Sequence, residues 1–140
     1  MSTEAIKCVL LADRHHGLSE GIRGLLESEF QAVVMVADET SLIESAVRLH
    51  PSLVVADLAL AQGESFGWLR RLLARRPESR VIVLSSHDEA SIAQAAFDAG
   101  AAGFVRKREI ATELLPAVDA VLAGQRHGPV AHSKSPPPKR

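Results

Sequence analysis

Two acids and a lysine stand where apolar runs break off. Asp13 follows "IKCVLLA", Asp57 ends "PSLVVAD" and Lys107 ends "AAGFVRK", while Ser85 and Ser86 close "RVIVLSS". A charge at the end of an apolar strand is partly buried, which a purely structural role would leave uncompensated, so Asp57 and Lys107 are candidate functional residues. Carboxylates, a hydroxyl and an ammonium brought together could stabilise a phosphoryl group and a divalent metal. A carboxylate can attack phosphorus, oxygen ligands suit magnesium, and a lysine neutralises phosphoryl oxygens. Arg14, directly after Asp13, places a cation beside any such site.

The elements that must position these groups alternate along the chain. "IKCVLLA", "QAVVMVADE", "SLVVADLAL", "RVIVLSS" and "AAGFVRK" are short, apolar and rich in β-branched residues, as strands covered on both faces are. Between them Leu18, Ile22, Leu25 and Leu26 recur at helical spacing, as do Leu42, Ile43, Ala46, Val47 and Leu49. Thr40 or Ser41 is the expected N-cap of that second helix and Pro51 its stop. "ESFGWLRRLLARRP", "DEASIAQAAFDAG" and "EIATELLPAVDAVLAG" are the remaining helices, with Gly100 ending one and Pro116 expected to kink the last or mark a late start. Five strands alternating with five helices predict an α/β fold: a five-stranded parallel sheet with helices on both faces. Sites in such sheets form at the carboxyl ends of the strands, where Asp13, Asp57, Ser85, Arg106 and Lys107 should gather.

Composition narrows the function classes. The chain has 140 residues, 46% of them apolar, enough for one domain with a sizeable core. Its net charge of -1 hides an asymmetry: residues 125–140 hold four basic residues and no acid, so residues 1–124 carry 12 basic against 17 acidic. A body with that balance is not a nucleic-acid-binding domain by charge. "QRHGPVAHSKSPPPKR" is rich in Pro, Ser and basic residues without a periodic apolar face, and reads as linker or disordered tail. The single Cys8 cannot form an internal disulfide and is expected to be a buried thiol. No apolar run approaches the roughly 20 residues of a membrane span, so a cytoplasmic location is expected. "GLSEGIRG" is neither a P-loop nor a dinucleotide fingerprint. His15, His16 and His87 read as surface histidines, Phe66 and Trp68 as packing residues, and Arg70, Arg71, Arg75 and Arg76 as a solvated helix face.

At these residues the chain resembles the response-regulator receiver domains of two-component signalling, most closely those of the LuxR/NarL type. "VLLADRHHGLSEGIRGLLE", "PSLVVADLAL", "RVIVLSSHDE" and "AGAAGFVRK" resemble their first strand and helix, phosphoacceptor strand, fourth strand and lysine strand, over residues 5–124. The resemblance implies a flavodoxin-like receiver fold over residues 1–124, with residues 125–140 outside it. It implies Asp57 as phosphoacceptor, Lys107 and Ser85 as the groups that hold the phosphoryl product, and Ser85 with Phe104 as the switch pair. It also implies magnesium held by Asp13, Asp57 and the backbone carbonyl of Ala59. The implied partner is a sensor histidine kinase; a homodimer is possible by resemblance. The implied activity is a phosphoacceptor switch that catalyses its own phosphorylation and is otherwise not an enzyme. Regulators of this type commonly carry a DNA-binding output domain after the receiver, and these 140 residues include none, so direct DNA binding by them is not expected.

Two positions depart from the family pattern. Where receivers have two consecutive acids this chain has Asp13 and Arg14, and Ala61 stands where the family usually has proline. A unit pair about 4 Å apart is worth roughly 4 kcal/mol at an effective dielectric of about 20, so a cation in place of an acid predicts weak or absent magnesium binding. Three roles are open to Arg14: pointing into solvent, pairing with Asp57, or clamping the phosphoryl group, the last two by bidentate recognition. The alternative function is therefore a receiver-fold interaction module independent of phosphorylation. A flavin or nucleotide enzyme on the same sheet is disfavoured by the absence of tyrosine and of a phosphate-binding loop.

Overall fold

The computed structural model describes residues 7–14, 16–60, 66–86 and 90–128. Five strands, β1 (Cys8–Ala12), β2 (Ala32–Val36), β3 (Leu53–Asp57), β4 (Val81–Ser85) and β5 (Gly103–Arg106), form one sheet. Five helices alternate with them: α1 (His16–Leu26), α2 (Glu39–Leu49), α3 (Gly67–Arg75), α4 (Ala90–Asp98) and α5 (Ile110–Leu122). The strand order is β2-β1-β3-β4-β5, and every pairing is parallel. The expected five-stranded parallel sheet with helices on both faces is therefore the architecture found.

The period of two along each strand divides the apolar side chains between two cores. Leu10, Val54, Val83 and Phe104 face one layer, where they meet Leu42 of α2, Leu69 and Leu72 of α3 and Phe97 of α4. Leu11, Val55, Leu84 and Val105 face the other, against Ile22 and Leu26 of α1 and Leu114, Val118 and Val121 of α5. Every residue of β3 and β4 is buried, which is why these strands read as continuous apolar runs rather than alternating ones.

Local chemistry sets several boundaries differently from the periodicity. The run "SLVVADLAL" stops being a strand at Asp57, because Asp57 Oδ1 accepts the N–H of Ala59 at 2.9 Å and folds Leu58–Leu60 into a single 3-10 turn. α2 is capped not by Thr40 or Ser41 but by Asp38, whose Oδ1 accepts the Ser41 N–H at 2.7 Å. It ends at His50, in the left-handed region at φ 52°, one residue before Pro51. α5 runs unbroken from Ile110 to Leu122 through Pro116, which lies on its exposed side; the proline removes one N–H from the helix without ending it. Cys8, expected to be buried, is half-buried at the start of β1, and burial pushes its thiol pKa up.

The largest difference lies after α5. Residues 125–128, which composition assigns to the linker, lie against the free edge of β5, with His127 pairing to Gly103. A one-residue pairing leaves no periodic trace in a sequence. Residues 129–140, the rest of the expected tail, lie outside the described residues.

Candidate functional site

The carboxyl ends of the strands carry the residues singled out in the sequence. Ala12 of β1 is in register with Ala56 of β3, so the next residues, Asp13 and Asp57, leave the sheet side by side. Both are buried, at 4% and 1% exposure, although they are charged residues at a sheet rim. Ser85, fully buried, ends β4 opposite Arg106 of β5, and Lys107 follows directly.

Each part of this arrangement has a local cause. The all-apolar strands carry Asp57 into a place where its charge must be met within the protein. Lys107 meets it: its Nζ forms an ion pair with Asp57 Oδ2, and its side chain is only 17% exposed. The other carboxylate oxygen is held by the Ala59 N–H. The carboxylate is thus fixed in orientation by one backbone donor and by one cation that follows β5, two strands away in the sheet. Ala59 was singled out in the sequence for its carbonyl and not for this N–H, whose bond to an acid two residues earlier leaves no periodic signal.

Arg14 is exposed, and its Nη1 points at the carbonyl oxygen of Ala59 from 3.5 Å, the outer limit of a hydrogen bond. That carbonyl is the third oxygen of the expected metal set. Among the described residues the ion pair of Asp57 is with Lys107 and not with Arg14. Asp13, Asp57 and the Ala59 carbonyl supply hard oxygen donors of the kind a magnesium ion takes. Two of those three already face a cation of this chain.

Phe104 is buried in the layer shared with α4, one residue into β5 and in register with Val83. Its backbone N–H donates to the His127 carbonyl at 2.8 Å, a contact the sequence did not suggest. Trp68 and Phe66 are core residues, as expected. Arg70, Arg71 and Arg75 are exposed on α3, with Arg71 paired to Glu39 of α2, and Arg76 is half-buried in an ion pair with Glu78 at 2.8 Å. His15, His87 and Ala61 lie outside the described residues. No helix among the described residues is long and apolar enough to cross a membrane.

A buried acid–lysine pair thus lies at the carboxyl ends of a parallel sheet of order 2-1-3-4-5. The chain belongs to the response regulator receiver domain family, whose sequence pattern matches residues 9–119. It is 34% identical over 131 residues to the transcriptional activator protein ExaE of Pseudomonas putida, a match covering 85% of this chain and 56% of that protein. It is 29% identical over 129 residues to the transcriptional regulatory protein DegU of Brevibacillus brevis, covering 89% of this chain and 55% of that one. The chain spans 55% to 62% of the length of these and the other leading curated relatives. Among solved structures it is similar to a LuxR-family two-component response regulator from Aurantimonas sp. SI85-9A1, with a TM-score of 0.82, 27% identity and coverage of 94% of this chain and 100% of that one. The isolated receiver domain of RcsB from Salmonella enterica serovar Typhimurium in the apo form superposes with a TM-score of 0.80 at 28% identity, over 91% of this chain and 96% of that one. The protein is a receiver domain of the LuxR/NarL type, in a family of regulators rather than metabolic enzymes, and receivers of this family use magnesium at the phosphorylation site.

Proposed function

We propose that Asp57 accepts a phosphoryl group from the phosphohistidine of a sensor histidine kinase and that the domain catalyses this transfer itself. A carboxylate oxygen of Asp57 forms the new bond to phosphorus while the phosphorus–nitrogen bond breaks, and the leaving imidazole takes up a proton. The observation that carries this reading is the buried Asp57 carboxylate, already oriented by the Ala59 N–H and ion-paired with Lys107. Lys107 transfers its ammonium from the carboxylate to the phosphoryl oxygens as charge moves there, and the Ser85 hydroxyl donates to one of them. Magnesium, where bound, would neutralise further phosphoryl charge from Asp13, Asp57 and the Ala59 carbonyl. Ser85 and Phe104 form the switch pair that passes the change to the face built by α4, β5 and α5. The receiver occupies residues 1–124. The relatives, transcriptional regulators and activators, support a place in a longer transcriptional regulator with DNA contacted through an output domain.

We propose that magnesium binding in this chain is weak, a reading supported by Arg14, whose Nη1 lies 3.5 Å from one of the three expected ligand oxygens. The same contact favours a second reading, a receiver-fold interaction module that does not depend on phosphate. Intact-mass analysis after incubation with acetyl phosphate separates the two, using the native chain, Asp57→Ala and Arg14→Asp, each with and without magnesium. The first reading expects a gain of one phosphoryl group that needs Asp57, with a weak response to magnesium that steepens in Arg14→Asp. No gain in the native chain, but a gain in Arg14→Asp, establishes the second reading.

A further inference from the structure

The free edge of β5 is covered by the chain's own residues 125–128. His127 donates its N–H to the Ala102 carbonyl at 3.1 Å, and its carbonyl accepts the Phe104 N–H at 2.8 Å. These two bonds bracket Gly103 in a parallel pairing one residue long. Side chains extend the contact to both flanking helices. His127 Nε2 lies 3.0 Å from Glu113 Oε1 of α5, and the Arg126 guanidinium lies 5.5 Å from the ring centroid of Phe97 in α4. Gly128 packs in close: a Cβ there would stand 2.8 Å from Phe97 Cζ and 3.2 Å from Phe104 Cβ.

An uncovered strand edge presents unpaired N–H and C=O groups that recruit another extended segment. Here the recruit is intramolecular: it bonds the backbone of Phe104, and it comes so close that a Cβ on Gly128 would crowd the Phe104 Cβ. Three residues further along the chain, Lys107 is tied to Asp57. The acid site and the covering segment therefore act on the two ends of one four-residue strand.

We infer that residues 125–128 are an internal strap that occupies the β5 edge and holds Phe104, so that movement of Phe104 and departure of the strap are one coupled event. For its trigger this rests on Asp57 being the phosphoacceptor. The backbone bonds make the coupling: Phe104 donates its N–H to the His127 carbonyl, so a shift of the Phe104 backbone strains that bond, and any loss of it frees the Phe104 N–H. The strap lies where the chain leaves α5, so its release frees residues 125–128 from the β5 edge.

Amide hydrogen exchange on the full 140-residue chain, read by NMR, tests this. Samples are the native chain, Gly128→Val, His127→Pro, and the native chain after acetyl phosphate, with phosphoryl occupancy taken from the intact mass of the same sample. Gly128→Val removes the space the strap needs, and His127→Pro removes its donor to Ala102 by a different route. The expected result is a Phe104 amide that exchanges at least tenfold faster in both variants and in the phosphorylated chain, with Val83 and Leu84 in β4 unchanged. Unchanged β4 amides distinguish undocking from unfolding. Equal Phe104 exchange in the native chain and both variants overturns the strap, and phosphoryl occupancy with unaltered Phe104 exchange overturns its coupling to the acid site. Absence of a mass gain refutes the phosphoacceptor reading, and the trigger with it, on a separate readout from the docking.

Discussion

Replacing Lys107 by methionine keeps most of the side-chain stem and removes the ammonium from a carboxylate that is 1% exposed. At an effective dielectric of about 20, a contact pair of unit charges carries roughly 4 kcal/mol of attraction. Part of that offsets the desolvation of Asp57, and the 17% exposure of the Lys107 side chain screens a further part. The Ala59 N–H still satisfies one carboxylate oxygen. Leaving the other uncompensated costs about 2–4 kcal/mol, toward the lower end of what breaking a buried pair costs. Asp57→Asn takes away the charge and keeps an acceptor for the Ala59 N–H, while Lys107 can turn to solvent, so it costs under about 1 kcal/mol. The double variant should then lose little more than Asp57→Asn alone, giving a coupling energy of about 1.5–3 kcal/mol. Urea denaturation at pH 7 followed by Trp68 fluorescence measures all four species, because the fully buried Trp68 reports loss of the core. A coupling below about 0.5 kcal/mol would refute the claim that Lys107 is what makes a buried, ionised Asp57 tolerable.

Three further outcomes follow from local geometry. His50 sits at φ 52° as the C-cap of α2, where a side chain is strained, so His50→Gly should stabilise by about 0.5–1 kcal/mol and raise Tm by a few degrees in a thermal scan. Gly100 is at φ +111°, and a Cβ there would meet Leu73 Cδ1 at 2.4 Å; Gly100→Ala should lower stability by about 1–3 kcal/mol, and a neutral result in chemical denaturation would contradict that backbone conformation. Glu39 of α2 is paired with Arg71 of α3, Arg71 Nη2 donating to Oε1 at 2.8 Å, and the guanidinium holds its carboxyl below the ordinary 4.5. Because the folded value is the lower one, this stabilisation is complete above about pH 4.5 and disappears as the pH falls through the folded value. With Arg71 mostly exposed the pair is worth about 0.5 kcal/mol, so the Tm difference between the native chain and Glu39→Gln should be constant above pH 5 and shrink toward pH 3.

The helices and strands were legible wherever burial repeats. α1 and α2 show their inner faces in the spacing of Ile22 and Leu26 and of Leu42 and Ala46, and β3 and β4 show theirs as unbroken apolar runs. Boundaries set by a single side chain were not legible. Asp38 outcompeted Thr40 and Ser41 as the cap of α2, and Asp57 ended its own strand by capturing the Ala59 N–H. Both are hydrogen bonds over two or three residues, which leave no periodic pattern. At the rim, the types and order of Asp13, Asp57, Ser85 and Lys107 were readable because charges at the ends of apolar strands stand out. The posture of Arg14 was not, since three roles fitted the same residue.

By itself the sequence determined that strands and helices alternate, and therefore that the sheet is parallel and its strand ends face one way. Short-range periodicity and chain connectivity suffice for that, and they suffice to say which side chains share a rim. Only the tertiary structure decided which partners meet there: Lys107 on Asp57, Arg14 on the Ala59 carbonyl, and His127 on the edge beside Phe104. Those contacts join residues 23 to 50 positions apart, and their energies depend on burial and distance in three dimensions, which no spacing along the chain encodes.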